Sequence, residues 1–257
     1  MMSRRTCVCA LCLVTVLSVV QPAAATANEV TVLVNGSFNA YPPWMDNWSP
    51  EFSAIAGTYG VPPIQFRWFD NDAVYAPFYS GISNGAFAFA NFINALGVPP
   101  WDHLNVVAHS HGGNVVLWGS WFLSRPMTHV INLGTPVNWD LPGLGGYGAY
   151  SHCQVSSYSD WVQFVGASPY QVAQYGANEY YAGENAFYAA EALAAGDWDS
   201  FWYYTGLSAW YEAQAQYWWL STKIESGASN QWFWGESHSD LHEPPVWDRI
   251  KYQCALN

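Results

Sequence analysis

Positive charge is scarce in this chain, with 7 Lys and Arg against 19 Asp and Glu in 257 residues. Arg4 and Arg5 fall in an N-terminal leader, and the remaining five (Arg67, Arg125, Lys223, Arg249, Lys251) are scattered. Binding to phosphate chains needs basic side chains massed on one face, so nucleic acid is excluded as a partner class. Long apolar runs are equally rare. The one extended run is CVCALCLVTVLSVV at residues 7–20, too short and wrongly flanked for a lasting transmembrane helix. Cysteine is sparse too: three of the five lie in that run, and no Cys or Glu spacing suggests a metal site. No internal repeat or low-complexity linker divides the chain.

The first 27 residues read as a signal peptide. Arg4 and Arg5 form a basic start, the apolar run follows, and Ala25-Thr26-Ala27 fits a small-x-small cleavage site. Cys7, Cys9 and Cys12 lack the small residue that precedes a lipidated cysteine, which argues against a lasting membrane anchor. Cleavage before Asn28 leaves a single domain, residues 28–257, in a secreted or periplasmic setting. Cys153 and Cys254 are then the remaining cysteines, and an oxidising compartment favours their pairing. Two separate thiols are the alternative, because spacing does not establish proximity.

What the chain has in quantity is aromatic surface: 16 Trp, 17 Tyr and 13 Phe. Some of these rings must fill a core, and others suit half-wet clefts. EVTVLV (29–34), IQFRWF (64–69), LNVVAH (104–109), THVINLG (128–134) and CQVSSY (153–158) read as buried strands. AFAFANFINAL (86–96) and the stretch from His111 to about Leu123 read as helices. This alternation implies an α/β domain, a mostly parallel central sheet with helices on both faces. Residues 166–230, rich in Ala, Glu, Tyr and Trp, read as a helical insertion of two or three helices, with a lid as one role. Ordinary crossover helices on the sheet face are the alternative.

One short stretch carries chemistry. In LNVVAHSHGGNVV (104–116), a small-x-Ser-x-Gly turn joins a buried strand to a helix. Such a turn strains the serine backbone and exposes its hydroxyl, and it needs small residues two before and two after, here Ala108 and Gly112. Ser110 is therefore the candidate nucleophile. The backbone N–H of His111, at the helix start, is a candidate oxyanion donor.

With this elbow and its element order, the chain resembles the α/β-hydrolase superfamily, in particular its secreted bacterial lipase and esterase branch. The resemblance implies the order Ser, acid, His along the chain. VSSYSDWVQ (155–163) supplies Asp160 as the acid, with Asp140 as runner-up and a helix N-cap as the competing role for Asp160. ESHSDLHEPPVWDRI (236–250) resembles the loop that bears the base before the last helix, with His238 preferred and His242 the alternative. Asn35-Gly36-Ser37 stands where relatives carry His-Gly-x, which makes the Ser37 N–H the second oxyanion candidate. The implied activity is cleavage of carboxylic esters through an acyl-enzyme, with no cofactor and no metal. The low-charge aromatic insertion favours an apolar or lipid-like ester. Acyl transfer or peptidase action on the same fold, and a non-catalytic binding module on a hydrolase scaffold, are the competing readings. His109 and His111 flank the serine as packing or entrance residues.

Overall fold

The computed structural model describes residues 27–37, 41–68 and 79–256. The expected signal peptide, apart from Ala27, lies outside the described residues.

Six strands build the frame: β1 (Glu29–Val34), β2 (Ile64–Phe66), β3 (His103–His109), β4 (Met127–Leu133), β5 (Ala149–Ser157) and β6 (Ser229–Phe233). All pair in parallel, in the order β2-β1-β3-β4-β5-β6. The expected parallel α/β layering is thus the fold. Because a parallel sheet is covered on both faces, its strands read as continuous apolar runs, and successive residues serve opposite cores. Leu33, Val107, Ile131 and Val155 point to one side, where α1 (Pro50–Tyr59) and α7 (Pro244–Gln253) lay Phe52, Ile55, Trp247 and Ile250 against them. Val32, Val34, Val106 and Val130 point to the other, under Ile82 and Phe89 of α2 (Tyr79–Ala95) and Val115 of α3 (His111–Gly119).

Several elements differ from the sequence expectation, among them β5, which starts at Ala149 rather than Cys153, and α3, which ends at Gly119 rather than near Leu123. The strand at Ile64 is only three residues long, as suits a half-exposed edge, and α2 begins at Tyr79 rather than near Ala86. The edge strand β6, SNQWF, has no apolar alternation to announce it.

Beyond the short helix α4 (Trp161–Val165), the insertion forms two helices, α5 (Pro169–Ala195) and α6 (Trp198–Ser221). Ser168 and Gln171 make a reciprocal cap at the start of α5, and Gly196 ends it in a left-handed conformation (φ 72°). At 1.5 Å per residue α5 is about 40 Å long. Small side chains at Ala182, Ala189 and Ala192 let the two helices close on each other, with Tyr181–Tyr211 and Tyr188–Tyr204 ring contacts along the seam. Tyr180, Trp202 and Trp210 stay exposed. No helix of the described residues is long and apolar enough to cross a membrane.

A disulfide joins Cys153 in β5 to Cys254, just past α7, with Cα atoms 5.8 Å apart across 101 residues of chain. It ties the end of the C-terminal helix to β5, the strand next to the β6 edge of the sheet.

Candidate active site

Strands β1, β3 and β5 end on the same edge of the sheet, and the loops after them carry Ser37, Ser110 and Asp160. In an open parallel sheet this carboxyl edge is where binding crevices form. His238 follows β6 on the same edge.

Ser110 sits between β3 and α3 with φ 55° and ψ −138°, a conformation that costs a non-glycine residue free energy. The turn can be this tight because its neighbours lack side chains. A Cβ on Gly112 would lie 2.3 Å from the Asn35 carbonyl oxygen, and one on Gly36 would lie 2.7 Å from Ser110 Cβ. The strand-to-helix turn and the loop after β1 therefore press directly on each other. Asn35 holds that loop: its Oδ1 accepts from the Trp68 N–H at 3.0 Å, while its own carbonyl accepts from the Trp68 indole at 2.6 Å.

Asp160 is the N-cap of α4 and also the partner of His238. Its Oδ1 accepts from the Gln163 N–H at 2.9 Å, and its Oδ2 takes the His238 Nδ1–H at 2.7 Å. The two roles weighed for it from sequence are held together by the two oxygens of one fully buried carboxylate. With Nδ1 engaged, Nε2 is the ring nitrogen that remains for a reactant. Gly134, at φ 60° after β4, makes room for this imidazole, because a Cβ there would come within 3.0 Å of His238 Nδ1.

Ser110 and His238 line one cavity of about 580 Å³, together with Ser37, His111, Trp44, Val162 and Val165. Its walls are mainly apolar and include Pro42 and Pro43 as well as the two valines of α4. Among the described residues the Ser110 hydroxyl forms no side-chain hydrogen bond, so it is open to the cavity. Ser37 and His111 flank Ser110 in that lining, and Phe38 lies outside the described residues.

The alternatives separate on geometry. His242 stacks on Trp44 at 5.1 Å and contacts the His109 ring edge-on, while burial pushes its pKa down to about 4. Asp140 is exposed in the loop beyond β4. Of the histidines beside the serine, His109 is held well below the usual imidazole range by burial and by His238 and His242. It donates its Nε2–H to the His238 main-chain carbonyl at 2.9 Å. His111 is lowered to about 4, again chiefly by burial, and its Nδ1 accepts from the Asn114 amide at 3.1 Å. Both stay neutral near pH 7.

One residue near the site has no signature in the sequence. Lys223 follows α6, is completely buried, and donates from Nζ to the Asp160 main-chain carbonyl at 2.5 Å. No local pattern could have shown this, since the partner lies 63 positions away.

No family model matches the chain, and no curated protein sequence matches it. Among solved structures it is similar to a protein of Xanthomonas campestris pv. campestris assigned as a hydrolase of the α/β superfamily. The match has 13% identity and TM-score 0.43, covering 86% of this chain and 94% of that one. It is similar as well to a Xanthomonas campestris protein described as an α/β serine hydrolase without a lid, at 13% identity and TM-score 0.42, covering 90% and 84%. Likenesses this distant say nothing of chemistry, which stands on the geometry of the site.

Proposed function

We propose that this chain is a serine hydrolase of the α/β-hydrolase type that cleaves carboxylic esters through an acyl-enzyme. The observation that carries the reading is one constellation. A serine in a strained, positive-φ turn shares a cavity with an imidazole whose Nδ1 is bonded at 2.7 Å to a buried carboxylate.

In the first half-reaction His238 Nε2 takes the Ser110 proton as Oγ attacks the acyl carbon. The carbonyl electrons move to an oxyanion, for which the backbone N–H groups of Ser37 and His111 are the proposed donors. Asp160 keeps the proton of the resting imidazole on Nδ1 and stabilises the imidazolium that forms. The imidazolium then protonates the leaving alcohol. Water, deprotonated by the same nitrogen, attacks the acyl-enzyme and restores Ser110. No step draws on a metal or an organic cofactor.

The apolar wall of Pro42, Pro43, Trp44, Val162 and Val165 supports an apolar or lipid-like acyl group over a charged one. A secreted or periplasmic setting is proposed from the leader at residues 1–27, and the Cys153–Cys254 pair is consistent with it.

The test is hydrolysis of p-nitrophenyl esters of graded chain length by the purified protein and by Ser110→Ala. We expect turnover that falls by roughly 10⁶-fold in the variant, with the preferred chain length reporting the depth of the apolar cavity. Turnover equal in the two proteins would remove Ser110 from the mechanism.

A further inference from the structure

Lys223 is where the structure goes beyond the serine, the imidazole and the carboxylate. Burying an ammonium costs several kcal/mol unless the site repays it, and an apolar chain of the same size would fill the space more cheaply. Here the charge is kept, under cover on every side. The Nζ rests over the Trp219 ring, 4.7 Å from its centroid, and donates to the Asp160 carbonyl oxygen. Burial lowers the amine to about 8, against the opposing pull of Asp160, so it remains charged at neutral pH.

Every polar group of Asp160 is thereby bonded: N–H to the Ser157 carbonyl, C=O to Lys223, Oδ1 to Gln163 and Oδ2 to His238. Lys223 is itself held, because its carbonyl accepts from Ser156 Oγ at 2.9 Å and its N–H donates to the Leu220 carbonyl. Trp219 completes the connection by donating its indole N–H to the Tyr158 carbonyl at 3.2 Å. The end of α6 and the turn that carries the acid are thus one bonded unit.

We propose that Lys223 is a positioning residue for this site, fixing the main chain of Asp160 and offsetting part of the carboxylate's pull on the His238 imidazolium. The proposal rests on the hydrolase reading above. A cation beside the acid partly cancels the field that stabilises the imidazolium, and a pH profile of the reaction reads that cancellation.

Among the described residues, the titratable groups that face His238 are Asp160 after β5, His109 at the end of β3, His111 in α3 and His242 in the last 3-10 turn, and Glu51 of α1 lines the same cavity. Lys223 faces Asp160 from the end of α6. Because burial holds all three neighbouring histidines below the usual imidazole range, loss of the Lys223 charge is not masked by their titration near neutral pH.

The experiment is the rate of Ser110 labelling by a fluorophosphonate as a function of pH, which needs no knowledge of the natural ester. It compares the parent, Lys223→Met, and Lys223→Gln, with Ser110→Ala as the blank. Lys223→Gln keeps a neutral donor and reads the same charge loss if the Met variant does not fold. We expect the acidic limb of the labelling rate to move up by about one pH unit in both. Mere loosening of the turn would break the Asp160–His238 bond and move the limb down. An unchanged or lowered limb, with labelling still dependent on Ser110, overturns the role of Lys223 alone. Absence of Ser110-dependent labelling in the parent overturns the hydrolase reading, and this proposal with it.

Discussion

The Nε2–H of His109 meets the main-chain carbonyl of His238 at 2.9 Å, so the residue just before the proposed nucleophile also holds the loop of the proposed base. One contact thus links the serine's turn to the imidazole's loop. His109→Phe keeps an aromatic ring and removes the donor, leaving a partly buried carbonyl without this partner, at a cost of about 1 kcal/mol. We expect kcat/KM for an ester to fall roughly 10- to 100-fold through misplacement of His238, with labelling of Ser110 slowed and not abolished. Full activity in His109→Phe would show that the loop is held by other means.

The two oxygens of Asp160 make separable predictions. Asn is as good a helix cap as Asp, so Asp160→Asn should keep the cap of α4 and lose only the stability that the buried anion gains beside Lys223 and His238. It should still lower kcat by about 10⁴, because an amide cannot enforce the imidazole tautomer or stabilise its charged form. Asp160→Ala should lose both, adding about 1 kcal/mol of destabilisation. Equal stability loss in the two variants, measured by urea unfolding, would mean that the Gln163 contact contributes nothing to α4.

Much of this site is legible in the sequence, for physical reasons that also mark where the legibility ends. Ser110 is readable because a strained turn demands small neighbours, and Gly112 meets the Asn35 carbonyl so closely that no other residue fits. Asp160 is readable as a candidate from its place after a strand, and His238 from the resemblance of its loop to one that precedes a last helix; a parallel sheet brings both strand ends to one edge. The sequence left open whether His242 or His238 serves, and packing on Trp44 against bonding to Asp160 distinguishes them. Lys223 and strand β6 leave no local trace. The first acts on a residue 63 positions away, and the second is a half-buried edge whose polar side chains hide its period. The hairpin's two helices are evident in composition, whereas their seam depends on Ala side chains common to every face.

The Cys153–Cys254 bond closes a loop of 101 residues, for which chain-entropy arguments give about 4–5 kcal/mol of stabilisation. Both sulfurs are buried, so reductant should act only after unfolding. Replacing both cysteines by Ala should lower the melting temperature by roughly 10 °C in a domain of this size, with the ester activity of the folded protein retained. An unchanged melting temperature in the double variant would mean that α7 is held by Trp247 and its neighbours alone.

His152 gives a pH prediction that is independent of the active site. It lies in β5, 8% exposed, and its Nε2 pairs with the Asn132 amide at 3.0 Å, which requires the neutral ring to accept. Burial lowers it from 6.5 to about 4. Between those values the unfolded chain binds a proton that the folded one refuses, so stability is fully present above pH 6.5 and falls as pH falls toward 4. The ceiling for a group shifted this far is about 3 kcal/mol. His111 and His242, both at about 4, act in the same direction, so the urea midpoint should drop steeply across this window. His152→Asn keeps a polar partner for Asn132 and does not titrate, so it should flatten that drop and leave the pH profile of ester hydrolysis where it was. A slope identical to the parent's would show that His152 is protonated in the fold, contrary to its pairing with Asn132.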